Sequence, residues 1–355
     1  MKITNIQTKI LKAPLKTPFV TFLRHVDTLK DLVVTIECDD GTVGYGEGAP
    51  TPQITGETIG SMVATIEYIK PHILGREIED FDVIIKLVHS LIIKNTTAKS
   101  ILEIALYDLK AKSKNLPLYR MLGGTQTKFR TDITISMGEI DKMITDCHSA
   151  VALGYDTLKI KIGDNPQKDV ERVVAIHNAL DKSIKLRLDA NQGWSAQDSV
   201  TLLNALEKQD IIAEFIEQPV AADDSEGLKY IKERVQTPLL ADESIFSLKD
   251  ARKLLEMQAI DYVNIKLAKT AGISQALALA DLSKEFGVKC MIGCMLEGPI
   301  SVAAGVHVAS AKADIITMLD LDAVALLASH PVTTSIKFEE SSITLSDEIG
   351  LGAHY

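Results

Sequence analysis

Charged residues recur along this chain at the ends of short apolar runs with a nearly constant step, and that spacing constrains the fold more than any other feature. Lys161, Asp189, Glu217, Asp242 and Lys266 are separated by 28, 28, 25 and 24 residues, and Asp320 follows 54 residues later, two further steps of the same size. A repeat of that length is one strand plus one helix returning to start the next parallel strand. Candidate strands carry it at 130–135, 157–161, 184–189, 212–217, 238–242, 261–266, 289–294 and 315–320, with helical patterns between them, for example 167–180, 196–207, 247–258 and 273–286. The expected fold class is α/β, a (β/α)8 TIM-type barrel. A doubly wound open sheet is the alternative, but no Gly-rich phosphate-binding turn follows the first strand.

Residues 1–125 read differently, as an α+β domain preceding a barrel over 126–355. Ile6, Thr8 and Ile10 alternate as on a half-buried strand. The runs 32–38 and 43–47 flank Asp39-Asp40-Gly41-Thr42, a hairpin signal. Helical patterns follow at 57–69, 79–90 and 98–113. Gly44, Gly46 and Gly48 lie in a hairpin strand and match no nucleotide fingerprint well.

The position of the charges suggests chemistry, because functional groups in a barrel sit at the C-terminal strand ends. Asp189, Glu217 and Asp242 end three consecutive strands. Three anions pointed together repel one another, and a hard divalent cation resolves the conflict. An all-oxygen donor set selects magnesium or manganese, and none of the 8 His falls at these strand ends. The plainer reading is three separate salt-bridged acids on the rim. Lys159 and Lys161 share one strand face, and Lys266 ends the sixth strand across the mouth. A free lysine has a pKa near about 10.4. A second ammonium and a nearby cation are expected to bring it down to roughly 7–8, where it serves as a general base. Asp320 and Asp322 form a same-face acidic pair on the eighth strand, suited to a substrate ammonium and expected to lie too far round to share the first metal. Arg24, in the apolar-rich segment 17–26, clamps an anionic side chain if that loop closes over the mouth. Cys290 and Cys294 read as core or pocket-lining thiols.

Composition narrows the partners. The net charge of −10 and 5% aromatic content argue against nucleic acid and against a polybasic membrane anchor. No apolar run reaches the length of a membrane span, and the first residues carry no signal-peptide pattern. Four Cys in 355 residues make no disulfide framework. The expected location is cytoplasmic.

Taken together, the Lys-x-Lys, Asp, Glu, Asp and Lys set, in that order and spacing, resembles the enolase superfamily in its muconate-lactonizing subgroup. GYGEGAP (44–50) and TGET (55–58) extend the likeness into the N-terminal domain. The resemblance implies that residues 1–125 cap the barrel and that the C-terminal segment returns toward the cap. It also implies that Asp189, Glu217 and Asp242 bind Mg2+, that Lys161 and Lys266 are the acid–base pair, and that Lys159 supports Lys161. Asp320-Leu321-Asp322 looks like the dipeptide epimerases, where such a pair holds the α-ammonium. Thr134 resembles a substrate-contacting residue of that group, and Arg24 one that favours a glutamate side chain. Cys294 and Met295 complete the expected substrate pocket. Two positions depart from the pattern: Val324 where Pro is expected, and Ala271 where Gly is usual.

The expected activity is Mg2+-dependent epimerisation of a dipeptide such as L-Ala-D/L-Glu by two-lysine 1,1-proton transfer through an enediolate. Alternatives in the same subgroup are a muconate cycloisomerase, an o-succinylbenzoate synthase or an N-acylamino acid racemase. A non-catalytic peptide-binding barrel and a metal-dependent hydrolase are the readings from other classes, the hydrolase disfavoured by the missing His ligands. The expected partner is a small-molecule dipeptide, with neither nucleic acid nor membrane, and assembly into a homo-oligomer stays open.

Overall fold

The computed structural model describes residues 1–354, so Tyr355, the last residue of the expected barrel domain, lies outside the described residues. The hairpin read from Asp39-Asp40-Gly41-Thr42 is present. Strands His25–Cys38 and Val43–Gly48 pair antiparallel, Cys38 N–H donates to Thr42 O at 2.9 Å, and Gly41 takes the left-handed φ of +83° that the turn requires. A third strand, Ile3–Val20, pairs with the first of these. It does not keep the simple alternation expected at Ile6, Thr8 and Ile10. Ile6 is buried, Ile10 is 51% exposed, and burial resumes at Leu11 and Ala13. The phase changes because the partner changes: Ile3 and Ile6 pack in the N-terminal core, Leu11 joins the barrel core, and Ala13 packs with Leu296 and Leu327.

Helices Ile59–Ile73, Phe81–Ser90 and Thr96–Ser113 follow the sheet. The third runs so close to it that a Cβ at Gly44 or Gly46 would lie 2.4 or 1.9 Å from the carbonyl oxygens of Ala105 and Ile101. The glycines of GYGEG therefore serve close backbone approach between strand and helix.

The barrel strands are Ile133–Ile135, Thr157–Lys161, Lys185–Asp189, Phe215–Glu217, Leu239–Ala241, Tyr262–Ile265, Lys289–Gly293 and Ile316–Asp320, parallel and in sequential order. The expected strand 130–135 divides. Lys128–Arg130 leaves the barrel and pairs with Ser342–Thr344 of a C-terminal hairpin. Among the described residues no backbone ladder joins the first and eighth strands. Side chains close that seam instead: Leu321 N–H donates to Thr131 Oγ1 at 2.9 Å, and Thr134 N–H donates to Asp322 Oδ2 at 2.6 Å. The helix after the eighth strand is a single turn, Ala323–Leu326, whereas each earlier unit carries a helix of eight residues or more. The chain then returns to the N-terminal domain, where Gly350 N–H donates to Leu116 O and Leu351 N–H to Asp108 Oδ1.

The segment 17–26, read as a loop, is the tip of the long N-terminal hairpin. Thr21 N–H donates to Arg24 O across its turn. Val20 N–H donates to Ser136 Oγ, and Met137 N–H to Val20 O, which holds the tip against the loop after the first barrel strand.

Candidate active site

Below the hairpin tip, at the C-terminal strand ends, lies a cavity of about 560 Å3 with its opening included. The barrel contributes Thr134, Lys159, Lys161, Lys266, Asp320 and Asp322 to its wall. Cys294 and Met295 line it from the end of the seventh strand, and Arg24 lines it from the hairpin tip, its guanidinium 5.7 Å from the Phe19 ring centroid. Every expected acid–base and substrate residue therefore meets one space.

The charges are buried and tightly interleaved. Lys159 Nζ lies 2.7 Å from Glu217 Oε2, 3.1 Å from Asp189 Oδ2 and 2.7 Å from Asp320 Oδ2. Lys161 Nζ donates to Asp189 Oδ2 at 2.5 Å and to Asn191 Oδ1 at 3.1 Å. Lys266 Nζ is 2.9 Å from Asp242 Oδ2, and Lys269 Nζ is 2.5 Å from Asp242 Oδ1. Lys161 and Lys266 stand four strands apart in an eight-stranded ring, which puts them on opposite sides of the cavity. The expectation that Asp320 lies far from the metal set needs correcting, since one ammonium touches Asp320, Asp189 and Glu217 together. Inward-pointing side chains from opposite strands meet near the axis, and separation round the rim does not measure their distance.

The oxygens of Asp189, Glu217 and Asp242 do not all lie within 4.8 Å of one another, as those of Asp132, Asp320 and Asp322 do. Lysine ammonium groups sit between them. Their chemistry nevertheless suits a divalent cation. The donors are all oxygen, and the buried Glu217 Oε2 and Asp242 Oδ1 meet only a positive charge, the ammonium groups of Lys159 and Lys269 at 2.7 and 2.5 Å. Burial, then Asp189, pushes the Glu217 carboxyl up to about 7. Burial, then Asp242 and Asp189, pushes Glu243 up to about 8. A bound cation relieves crowding of this kind.

The lysines also depart from expectation. Burial works to lower the Lys266 pKa, but Asp242, Glu217 and Asp320 together outweigh it and hold the group above its ordinary value. Burial acts likewise on Lys159, and Asp320, Glu217 and Asp189 together raise it well above the ordinary value. Lys159 does lower Lys266, but the carboxylates around them outweigh this neighbouring-ammonium effect.

Several site residues escaped the sequence reading. Asn191 bridges Lys161 and Glu243, Asn264 Nδ2 donates to Glu217 Oε1 at 2.8 Å, Gln218 Oε1 accepts from Asp242 N–H at 3.0 Å, and the fully buried Lys269 pairs with Asp242. Most of them immediately flank the charged strand ends in LRLDANQGW, EFIEQP, LLADES and VNIKLAKTAGI, so their signal was adjacency. The same stretches hold left-handed backbone without glycine: Asn191 at φ +42°, Gln192 at +69°, Gln218 at +35° and Ala271 at +65°. Ala271 occupies the position where Gly is usual, and its φ supplies the reason for that preference.

Two family models cover most of the chain. Residues 5–123 match the mandelate racemase / muconate lactonizing enzyme N-terminal domain, and residues 142–355 match the enolase C-terminal domain-like family. The L-Ala-D/L-Glu epimerase of Clostridium acetobutylicum is 46% identical over 96% of this chain and 96% of its own length. A substrate-liganded L-Ala-D/L-Glu epimerase structure from Bacillus subtilis superposes with a TM-score of 0.97 at 38% identity, covering 99% of both chains. The dipeptide epimerase of Enterococcus faecalis, solved with Mg and L-Leu-L-Tyr, superposes at 0.96 with 39% identity over the whole of both chains.

Proposed function

This chain belongs to the mandelate racemase / muconate lactonizing enzyme family, and from that premise we propose that it is an Mg2+-dependent dipeptide epimerase acting on L-Ala-D/L-Glu. The observation that carries the reading is the opposition of Lys161 and Lys266 across a cavity that Asp320 and Asp322 also line. Inversion of a stereocentre needs one group to remove the α-proton from one face and another to deliver a proton to the other.

Asp189, Glu217 and Asp242 would hold Mg2+, which supplies positive charge to the substrate carboxylate as negative charge develops there. Lys159 adds a fixed ammonium beside the same carboxylates. Asp242, the carboxylate that does most to raise Lys266, is among the residues that would hold the cation, so a bound ion would compete with that ammonium for its charge. Asp320 and Asp322 receive the dipeptide ammonium, and Thr134 holds Asp322 in place through its backbone N–H. Arg24 meets the glutamate side chain from the hairpin tip, while Cys294 and Met295 shape the floor. A lactonizing substrate has no ammonium to meet the acidic pair Asp320 and Asp322, which disfavours that alternative. We place the enzyme in the cytoplasm on its four unpaired cysteines, and we take residues 1–125 as the cap and 126–355 as the barrel.

Proton NMR of L-Ala-L-Glu in D2O with enzyme and Mg2+ tests the reading. The Glu α-proton signal should disappear as the L,D epimer grows in, and EDTA should stop both. Exchange confined to other dipeptides or to N-acylamino acids would keep the proton transfer and remove the specificity.

A further inference from the structure

The seam between the first and eighth barrel strands has no backbone ladder among the described residues, so side chains decide how far apart the two strands stand. Two of the links across it, from Leu321 N–H to Thr131 Oγ1 and from Thr134 N–H to Asp322 Oδ2, use backbone donors. The third is a guanidinium. Arg187 lies two residues before Asp189 on the third strand and points inward with it. Its Nη1 donates to Asp132 Oδ2 at 2.7 Å and to Leu319 O at 2.8 Å. Asp132 immediately precedes the first strand, and Leu319 immediately precedes Asp320 on the eighth. One nitrogen inside the barrel therefore ties both sides of the seam.

Arg187 is itself held in place. Its Nε donates to Glu214 Oε2 at 2.6 Å, and its guanidinium carbon stands 5.3 Å from the Phe215 ring centroid. Three partners use its donors in directions that a planar fork supplies and a single ammonium does not.

The other side of Asp132 is turned toward the acidic pair. Asp132 Oδ1, the oxygen that Arg187 leaves free, is buried without a hydrogen-bond partner. Asp132, Asp320 and Asp322 each place an oxygen within 4.8 Å of the other two. Only Asp320 and Asp322 line the cavity, so Asp132 stands behind them. Burial, then Asp320, hold the Asp132 carboxyl well above its ordinary value, and Arg187 works against them. Three carboxyls this close repel one another. Arg187 opposes that repulsion by fixing Asp132 and the carbonyl next to Asp320 to one rigid group.

We propose that Arg187 and Asp132 are positioning residues for the ammonium subsite, setting the gap between the first and eighth strands and thereby the place where Asp320 and Asp322 receive the substrate. This inference rests on the dipeptide epimerase reading above. The reacting α-carbon belongs to the second residue of the dipeptide, between Lys161 and Lys266. A displaced ammonium subsite therefore weakens binding and leaves both bases and the metal ligands in place.

The test measures kcat and KM for L-Ala-L-Glu from Glu α-proton exchange in D2O, with the full chain and Mg2+. Asp132→Ala cuts the link at the seam and leaves Arg187 its partner Glu214. KM should rise by about tenfold or more, with kcat within about threefold and the Mg2+ concentration for half-maximal rate within about twofold. Asp132→Asn keeps an acceptor for Arg187 and should return KM to within about threefold of wild type. Arg187→Lys keeps the charge and loses the fork, so it should raise KM as Asp132→Ala does. It carries the test if Asp132→Ala does not fold. An unchanged KM in either variant, folded by thermal melting, overturns the positioning role. So does a fall in kcat at constant KM, or an Asn variant as impaired as the Ala one. No wild-type exchange with any dipeptide overturns the epimerase reading itself.

Discussion

Two buried carboxyl clusters in this chain handle charge in opposite ways. At the barrel mouth, Asp189, Glu217, Asp242 and Asp320 are met by Lys159, Lys161, Lys266 and Lys269. At the junction of cap and barrel, Asp31, Glu47 and Glu297 gather with His330, and among the described residues no lysine or arginine forms an ion pair with them. Burial first, and Glu47 and Glu297 after it, hold Asp31 well above its ordinary value, burial with Glu297 beside it pushes Glu47 up to about 7, and burial alone pushes Glu297 up to about 7. Glu47 Oε2 accepts from Ile300 N–H at 2.8 Å and caps the helix Pro299–Ala311, tying the cap domain to the barrel. Val332 N–H donates to His330 Nδ1 at 3.2 Å, which assigns the ring hydrogen to Nε2, 3.4 Å from Glu47 Oε1. Where lysines press hardest, on Asp189, Asp242 and Asp320, the carboxyls are held below their ordinary values. Where burial wins, on Glu217 at the mouth and on all three junction acids, they are pushed up.

The sharpest way to break this contrast is to remove a mouth lysine. Lys161→Ala and Lys266→Ala should each reduce epimerisation by about 10³-fold or more, with one-sided α-proton exchange in D2O as the remaining activity. Full activity in either variant would sink the two-base arrangement. At the junction the effect should fall on stability instead. Glu47→Ala strips the acceptor from two buried backbone N–H groups and should destabilise by about 2–3 kcal/mol in denaturant unfolding, through loss of cap–barrel attachment.

Titration separates the clusters further. Glu47 and Glu297 bind protons more tightly folded than unfolded, so their contribution to stability is complete below about 4.5 and is lost as pH rises toward about 7. The thermal midpoint should therefore fall between pH 5 and pH 8. Asp31→Asn should make that fall shallower and stabilise the protein at pH 8 by about 1 kcal/mol, because an amide carries no charge to bury. An unchanged slope would mean that the junction acids do not hold these protons. The smallest expected effect lies back at the mouth, where the left-handed residues cluster. Ala271→Gly should stabilise by about 1 kcal/mol by removing a Cβ from φ +65°.

Much of this was legible along the chain. The step between charged strand ends announces the barrel, since each βα unit spends a similar number of residues returning to the same end. It also places Lys161 opposite Lys266, because strand order in such a barrel follows chain order. Asn264 and Lys269 were not legible as site residues, since a polar residue beside a charged strand end is common in any barrel. Asp31, Glu47, Glu297 and His330 were less visible still, coming from two cap strands, a barrel loop and the C-terminal return.

What the sequence by itself determined is therefore the periodic part: the barrel, the set of groups at its mouth and their order round the axis. Only the tertiary structure decided how those groups are paired. Whether a carboxyl keeps its proton depends on the balance between its burial and the charges within a few ångströms, and that balance is set by side chains meeting across the axis and between domains.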